Sequence, residues 1–168
     1  MTLDIDIDAD AEWDSSKDWA SLARSAATAA IAESAFPQLG NGERTVELSV
    51  RLTSDDQVRA LNAEWRSKDK PTNVLSFPMA EEGELGTAAQ AGPELMLGDI
   101  ILAKGVCAAE ASDKGVALES HAAHLLIHGT LHLLGYDHMD DDSAADMEAR
   151  EIRALARLGI ADPYEGER

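Results

Sequence analysis

The stretch HAAHLLIHGTLHLLGYDH, residues 121–138, holds all 5 histidines of this 168-residue chain. Within it His128, His132 and His138 follow the spacing H-x-x-x-H-x-x-x-x-x-H. At roughly 100° per residue, a helix places His132 about 40° around and one turn along from His128, so both imidazoles leave one face. Gly135 follows three residues after His132, where a helix can end by turning left-handed at no Cβ penalty. Such a turn swings His138 back toward the first two histidines. Two rigid ligands on a helix and a third from the next turn leave a fourth coordination position open, the layout of a catalytic zinc site. The expected site is therefore one divalent metal ion, zinc foremost, on His128, His132 and His138.

The spacing is that of the metzincin peptidases, H-E-x-x-H-x-x-G-x-x-H, with one change: Gly129 stands where those enzymes carry glutamate as general base. The metal scaffold is present and the proteolytic base is missing. Buried histidines bonded to backbone are the plain alternative, but three at this spacing with the glycine in place favour a metal. His121 and His124 continue the same stripe. His124, one turn before His128, is a candidate for a group behind the ligands, as is Asp137 beside His138, which could orient an imidazole; a turn aspartate bonded to its own backbone is the alternative. The leucines and Ile127 between the histidines surround the helix with apolar side chains, which marks a core helix, too short and too often interrupted to span a membrane.

A length of 168 residues with 45% hydrophobic content fits one domain with a true core. The N-terminal MTLDIDIDAD has neither the basic nor the apolar region of a secretory signal, and the single Cys107 suits a reducing compartment. A cytoplasmic protein is expected. The formal net charge of −18 argues against a general nucleic-acid binder. The charge is uneven, however: Arg44, Arg51, Arg59, Arg66, Lys68 and Lys70 offset the acids in their stretch. Any nucleic-acid contact should be local, and a bound metal would add positive charge there.

Around the histidine helix the chain alternates strands and helices. Leu3–Asp8 has the period of a half-buried strand, its three aspartates forming a solvated face rather than a calcium loop. Ser15-Ser16-Lys17-Asp18 reads as a capping box opening a helix with Trp19, Leu22, Ala26 and Ala29 inward, ending near Phe36-Pro37. Asn41-Gly42 marks a turn, and Thr45–Thr53 a second strand. Ser54 opens a helix with Val58, Leu61 and Trp65 inward, which stops before Pro71. Residues 72–77 form a third strand and 94–103 a fourth, paired as a hairpin across a loop at 80–94. A helix at 104–115, the histidine helix, and a last helix led by Asp140–Asp142 with Met147, Ile152 and Leu155 inward complete the chain, with a loose tail at 159–168. The pattern predicts an α+β fold: a single domain over residues 1–168, with a four-stranded mixed sheet packed with about five helices.

The run HLLIHGTLHLLGYDH resembles the signature of the YbeY family of bacterial metal-dependent endoribonucleases. LNAEWRSKDKPTNVLSFP, residues 61–78, is similar to that family's other characteristic block, and LGDI at 97–100 to the strand that follows it. The resemblance implies a single-strand-specific, zinc-dependent endoribonuclease of late ribosomal RNA processing, acting in small-subunit three-prime end maturation and ribosome quality control. Its implied partners are ribosomal RNA and the small subunit or an associated protein, with no membrane. It also gives Arg66 a catalytic role, which a guanidinium fork on a phosphate or developing phosphorane charge would fill; an ion pair with Asp69 or Asp99 is the structural alternative. Lys68, Lys70, Asn73 and Ser76 are candidate substrate contacts. Two other readings remain at this stage: another zinc metallohydrolase, or a ribosome-associated binding protein with a structural zinc.

Overall fold

The computed structural model describes residues 2–40, 45–80, 85 and 94–165. The expected turn at Asn41-Gly42 and most of the 80–94 loop lie outside these residues. Four strands form one sheet: β1 (Thr2–Ala9), β2 (Thr45–Thr53), β3 (Val74–Pro78) and β4 (Leu95–Ala103). Their order is β1-β2-β4-β3, with β1, β2 and β4 parallel and β3 antiparallel to β4. Among the described residues the helices are α1 (Trp19–Ala32), α2 (Asp55–Arg66), α3 (Lys104–Lys114), α4 (Leu118–Leu133) and α5 (Asp141–Arg157), with a 3₁₀ turn at Pro37–Gly40. This is the single α+β domain with a mixed sheet that the sequence predicts.

The main core lies on one face of the sheet. Val46, Leu48, Val50 and Leu52 of β2 alternate into it and share one buried cluster with residues of α1, α4 and α5. In β4 the inward residues are Leu95 and Leu97, then Ile100 and Leu102, so the strict period of two breaks once. A register shift opposite Glu47/Leu48 restores the face. It runs through Gly98 at φ +143°, where a Cβ would meet the Phe77 carbonyl oxygen. On the other face α2 packs Val58 on Leu75, Ile101 and Ala103, with Phe77 and Val106 at the margin, and along α2 that small cluster reaches only to Leu61.

Several local expectations need correction. Helix α1 is capped by Asp18, whose carboxylate accepts the Ser21 N–H, and not by the serines before it; Asp14 takes the Ser16 N–H instead. It ends at Ala32, ahead of Phe36-Pro37. Trp65 is 65% exposed rather than inward, because the apolar patch under α2 stops one turn earlier and gives the indole nothing to pack on. The inward stripe of α5 is Met147, Glu151, Ala154 and Leu155, with Ile152 at its half-buried margin. The residues after Gly159, expected as a tail, carry Tyr164, whose hydroxyl donates to Glu151. Ser54 caps α2 and Asp140 caps α5 through the backbone N–H groups of Gln57 and Ser143.

Candidate metal centre

Helix α4 is buried along most of its length and packs against α1 and the sheet. It terminates as the sequence suggests. Gly135, at φ +96°, donates its N–H to the His132 carbonyl, and Tyr136 donates to the Leu131 carbonyl. These two bonds are a Schellman closure. They reverse the chain so that His138 returns to the end of the helix. The ligand-capable atoms of His128, His132 and His138 lie within 4.8 Å of one another, the one such cluster of three or more among the described residues. The three ring centroids are 4.5, 5.3 and 5.8 Å apart.

The donor chemistry of these rings tests whether a cation fits. His132 Nδ1 lies 2.8 Å from the Tyr136 carbonyl oxygen, which only accepts, so Nδ1 carries the proton and Nε2 presents a lone pair. His128 Nδ1 faces the Glu151 carboxylate at 3.4 Å, which leaves its Nε2 as the acceptor as well. The two Nε2 atoms are 3.0 Å apart. Two lone pairs at that separation repel unless a positive centre sits between them. Spacings from 3.0 Å up to 4.8 Å bracket the roughly 3.3 Å between ligand atoms on tetrahedral zinc with bonds of about 2.05 Å. Burial, followed by the neighbouring His128, holds the His132 pKa below its ordinary value, which keeps that imidazole neutral. The set fits a divalent metal.

Glu151 is the residue behind this site that sequence reasoning missed. It is 1% exposed on the inward stripe of α5. Burial opposes its charge, but hydrogen bonds from His124 and His128 outweigh burial and bring the carboxyl down to about 2. His124, expected behind the ligands, reaches Glu151 at 2.7 Å and not a ligand ring. A signal was available: an acid at a position where the period of Met147, Ala154 and Leu155 demands an apolar side chain.

A cleft of about 500 Å³ opens beside the histidines, lined by Arg66, Asn73, Val74, Ser76, Pro78 and Tyr136 along with His128, His132, Asp137 and His138. Arg66 leaves the last turn of α2, donates to the Ser76 carbonyl at 2.8 Å and rests on the Phe77 ring at 5.5 Å. Asp69 is taken by Arg59 in a two-point pair at 2.8 and 3.2 Å. Among the described residues Arg66 pairs with no carboxylate, so the ion pair with Asp69 or Asp99 does not form. Asn62, buried in α2, holds the loop after Arg66 by donating to the Lys70 carbonyl. Lys68 and Lys70 are exposed on that loop and do not line the cleft. Asn73 donates to Glu110 and accepts the Val74 N–H, so its amide is largely engaged. Asp137 accepts the His138 N–H at 2.7 Å, the turn geometry, and so fixes the backbone that carries the third histidine. Gly129 stands where the metzincin peptidases carry glutamate; a Cβ there would sit 3.0 Å from Ile100 Cγ2, so the Ile100 side chain would have to give by a few tenths of an ångström to admit one.

Residues 7–159 match the family model described as Endoribonuclease YbeY. The chain belongs to this family. Relatives named Endoribonuclease YbeY include that of Sphingopyxis alaskensis, 52% identical over 96% of this chain and 97% of that protein. Those of Rhizorhabdus wittichii (50%, covering 96% of both) and Erythrobacter litoralis (50%, covering 98% of both) are similar. The solution structure of TM1509 from Thermotoga maritima shares the fold, with a TM-score of 0.56 and 24% identity over 92% of this chain and 91% of that one. The YbeY match spans the histidine stretch and the Arg66 block together. Among the described residues, no helix is long and apolar enough to cross a membrane.

Proposed function

We propose that this chain is a single-strand-specific, metal-dependent endoribonuclease that acts in late ribosomal RNA processing and ribosome quality control, with small-subunit three-prime ends among its substrates. The observation that carries the reading is the pairing of two facing imidazole Nε2 atoms, 3.0 Å apart, with an arginine that lines the same cleft and bonds no carboxylate among the described residues. Family membership supports cleavage of RNA as the activity.

His128, His132 and His138 would hold the metal, and three imidazoles that leave a fourth position open suit zinc. When bound, that ion supplies Lewis acidity, polarising a phosphoryl oxygen and lowering the pKa of water. Arg66 supplies the opposite clamp. The Ser76 carbonyl occupies one of its five N–H donors, and since Arg66 lines the cleft the others are left for phosphoryl oxygens there. Its charge stabilises the extra negative charge that develops as the phosphodiester is attacked. Asp137 holds the His138 backbone, and the Tyr136 carbonyl holds the His132 ring. Gly129, packed closely on Ile100, carries no carboxylate to act as a peptidase base, which disfavours a peptidase.

With a net charge of −18 the protein lacks the field of a general RNA binder. We therefore assign placement on the substrate to a partner, the small ribosomal subunit or a protein bound to it, and place the enzyme in the cytoplasm with the ribosome. The test is cleavage of single-stranded and duplex RNA by metal-replete protein beside His132→Ala, with a peptide panel in parallel. Cleavage of single strands that His132→Ala abolishes supports the reading. RNA left intact beside hydrolysed peptides overturns it.

A further inference from the structure

The three histidines are oriented by different means. His132 is held by a backbone carbonyl within its own helix end, and His138 by the adjacent Asp137 turn. His128 alone depends on a side chain from another helix, Glu151. That carboxylate depends in turn on what holds it. Its Oε1 atom accepts from His124 Nε2 at 2.7 Å and from the Tyr164 hydroxyl at 2.8 Å, and the same atom faces His128 Nδ1 at 3.4 Å. Tyr164 lies beyond the end of α5, on the segment that folds back over α4. Its ring meets His124 edge-on at 5.3 Å, and the Asp162 carboxylate accepts its N–H. His124 Nδ1 is buried without a hydrogen-bond partner, so Nε2 is that ring's one anchoring atom.

We infer that Glu151 is a positioning residue for His128, and that the C-terminal segment through Tyr164 acts on the metal centre by holding Glu151. The inference rests on the reading of the three histidines as metal ligands. A buried carboxylate that takes the Nδ1–H of a histidine fixes both its tautomer and the direction of its Nε2 lone pair, and raises its strength as a ligand. Without Glu151, His128 can carry its proton on either nitrogen, and the form with Nε2–H cannot bind metal. Without the Tyr164 hydroxyl, the carboxylate keeps two donors and loses the one that reaches it from outside the helices. The C-terminal segment thus contributes to a site its own residues do not touch.

The experiment measures zinc and cobalt(II) affinity by chelator competition on the full chain, for the unaltered protein, Glu151→Gln, Tyr164→Phe and His132→Ala. The visible spectrum of bound cobalt and the imidazole ¹⁵N shifts of metal-free protein complete it. Glu151→Gln should weaken metal binding about 10- to 100-fold and shift the cobalt bands. It should also move the His128 ring nitrogens away from a pure Nδ1–H tautomer. Tyr164→Phe, which keeps the ring and its packing, should weaken binding several-fold and move the His128 shifts the same way. If both variants fold, bind with unaltered affinity and leave the spectrum and shifts unchanged, Glu151 and Tyr164 serve only packing and the inference is overturned. If Glu151→Gln does not fold, Tyr164→Phe decides alone by the same readings. Failure of the unaltered protein to bind metal, or unchanged binding in His132→Ala, would instead remove the metal reading and this inference with it.

Discussion

The cleft has two walls of opposite construction. On one side His128 and His132 stand on a helix buried against α1 and the sheet, and the tautomers of both are set by an acceptor behind each ring. On the other side Arg66 ends an exposed helix turn, steadied by one carbonyl and one aromatic ring. The imidazole wall must hold a geometry to within a fraction of an ångström for a metal to bind, so it is built into the core. On the proposed function the guanidinium wall meets a flexible polyanion, for which reach and an uncommitted charge matter more than rigidity. The comparison predicts that changes on the first wall register in metal content and stability, and that changes on the second register in rate alone.

The largest effect should come from removing two imidazoles. Protein with His128→Ala and His132→Ala should fall from about one metal equivalent per chain to almost none by elemental analysis. Unchanged metal content would show that the first wall holds something other than a metal. Next comes Arg66→Ala. Its loss should lower RNA cleavage by about 10²- to 10³-fold, the range for removing one donor from developing charge. Metal content should be unaltered and thermal stability within about 0.5 kcal/mol, as for exposed side chains generally. A loss of about 3 kcal/mol in stability would instead make Arg66 part of the scaffold and erase the difference between the walls.

Gly129→Glu sharpens the comparison from the rigid side. It restores the residue a peptidase of this spacing would carry, but the Ile100 side chain of β4 crowds the position at 3.0 Å. Overpacking of about 1–3 kcal/mol adds to the cost of a carboxylate without a partner, so denaturant unfolding should show a loss of about 3 kcal/mol or more and peptide assays no gain. A stable variant that cleaves peptides would mean that the helix can lift from the sheet, and that the first wall is less rigid than its packing implies.

What the sequence disclosed follows the same division. Helical pairing of His128 with His132 and the return through Gly135 are local geometry, repeated wherever those residues recur at that spacing, and they could be read directly. The strands and their alternation were legible for the same reason. Glu151 was not, because its partners lie at His124, His128 and Tyr164, brought together only when α5 and the following segment fold over α4. Trp65 was misplaced because periodicity reports which face of a helix is apolar and not where the surface beneath it stops. The shift at Gly98 belongs to the same class: Ile100, Ile101 and Leu102 are all apolar, so which of them faces the core shows only once β4 is in register with β2.

The smallest predicted effect concerns how the exposed wall meets RNA. A charge of −18 repels a polyanion at long range, and salt screens that repulsion over about 10 Å at 0.1 M. Attraction should therefore be confined to the cleft side, where Arg66 pairs with no carboxylate among the described residues and Lys68 and Lys70 are exposed on the loop after it. Arg59, on the same helix, is already spent on Asp69. Few phosphates can then be neutralised, about one to three. For a single strand that corresponds to a slope of log affinity against log salt of roughly −0.7 to −2. The protein carries its own probe: Trp13 and Trp19 are 1% and 5% exposed, so Trp65 at 65%, adjacent to Arg66, is the indole that added oligonucleotide can quench. Titrations at several salt concentrations should give weak binding and that shallow slope. Tight, sequence-independent binding with a slope steeper than about −4, equivalent to six or more phosphates, would show that a broad basic surface exists and that no partner is needed to place the enzyme on its substrate.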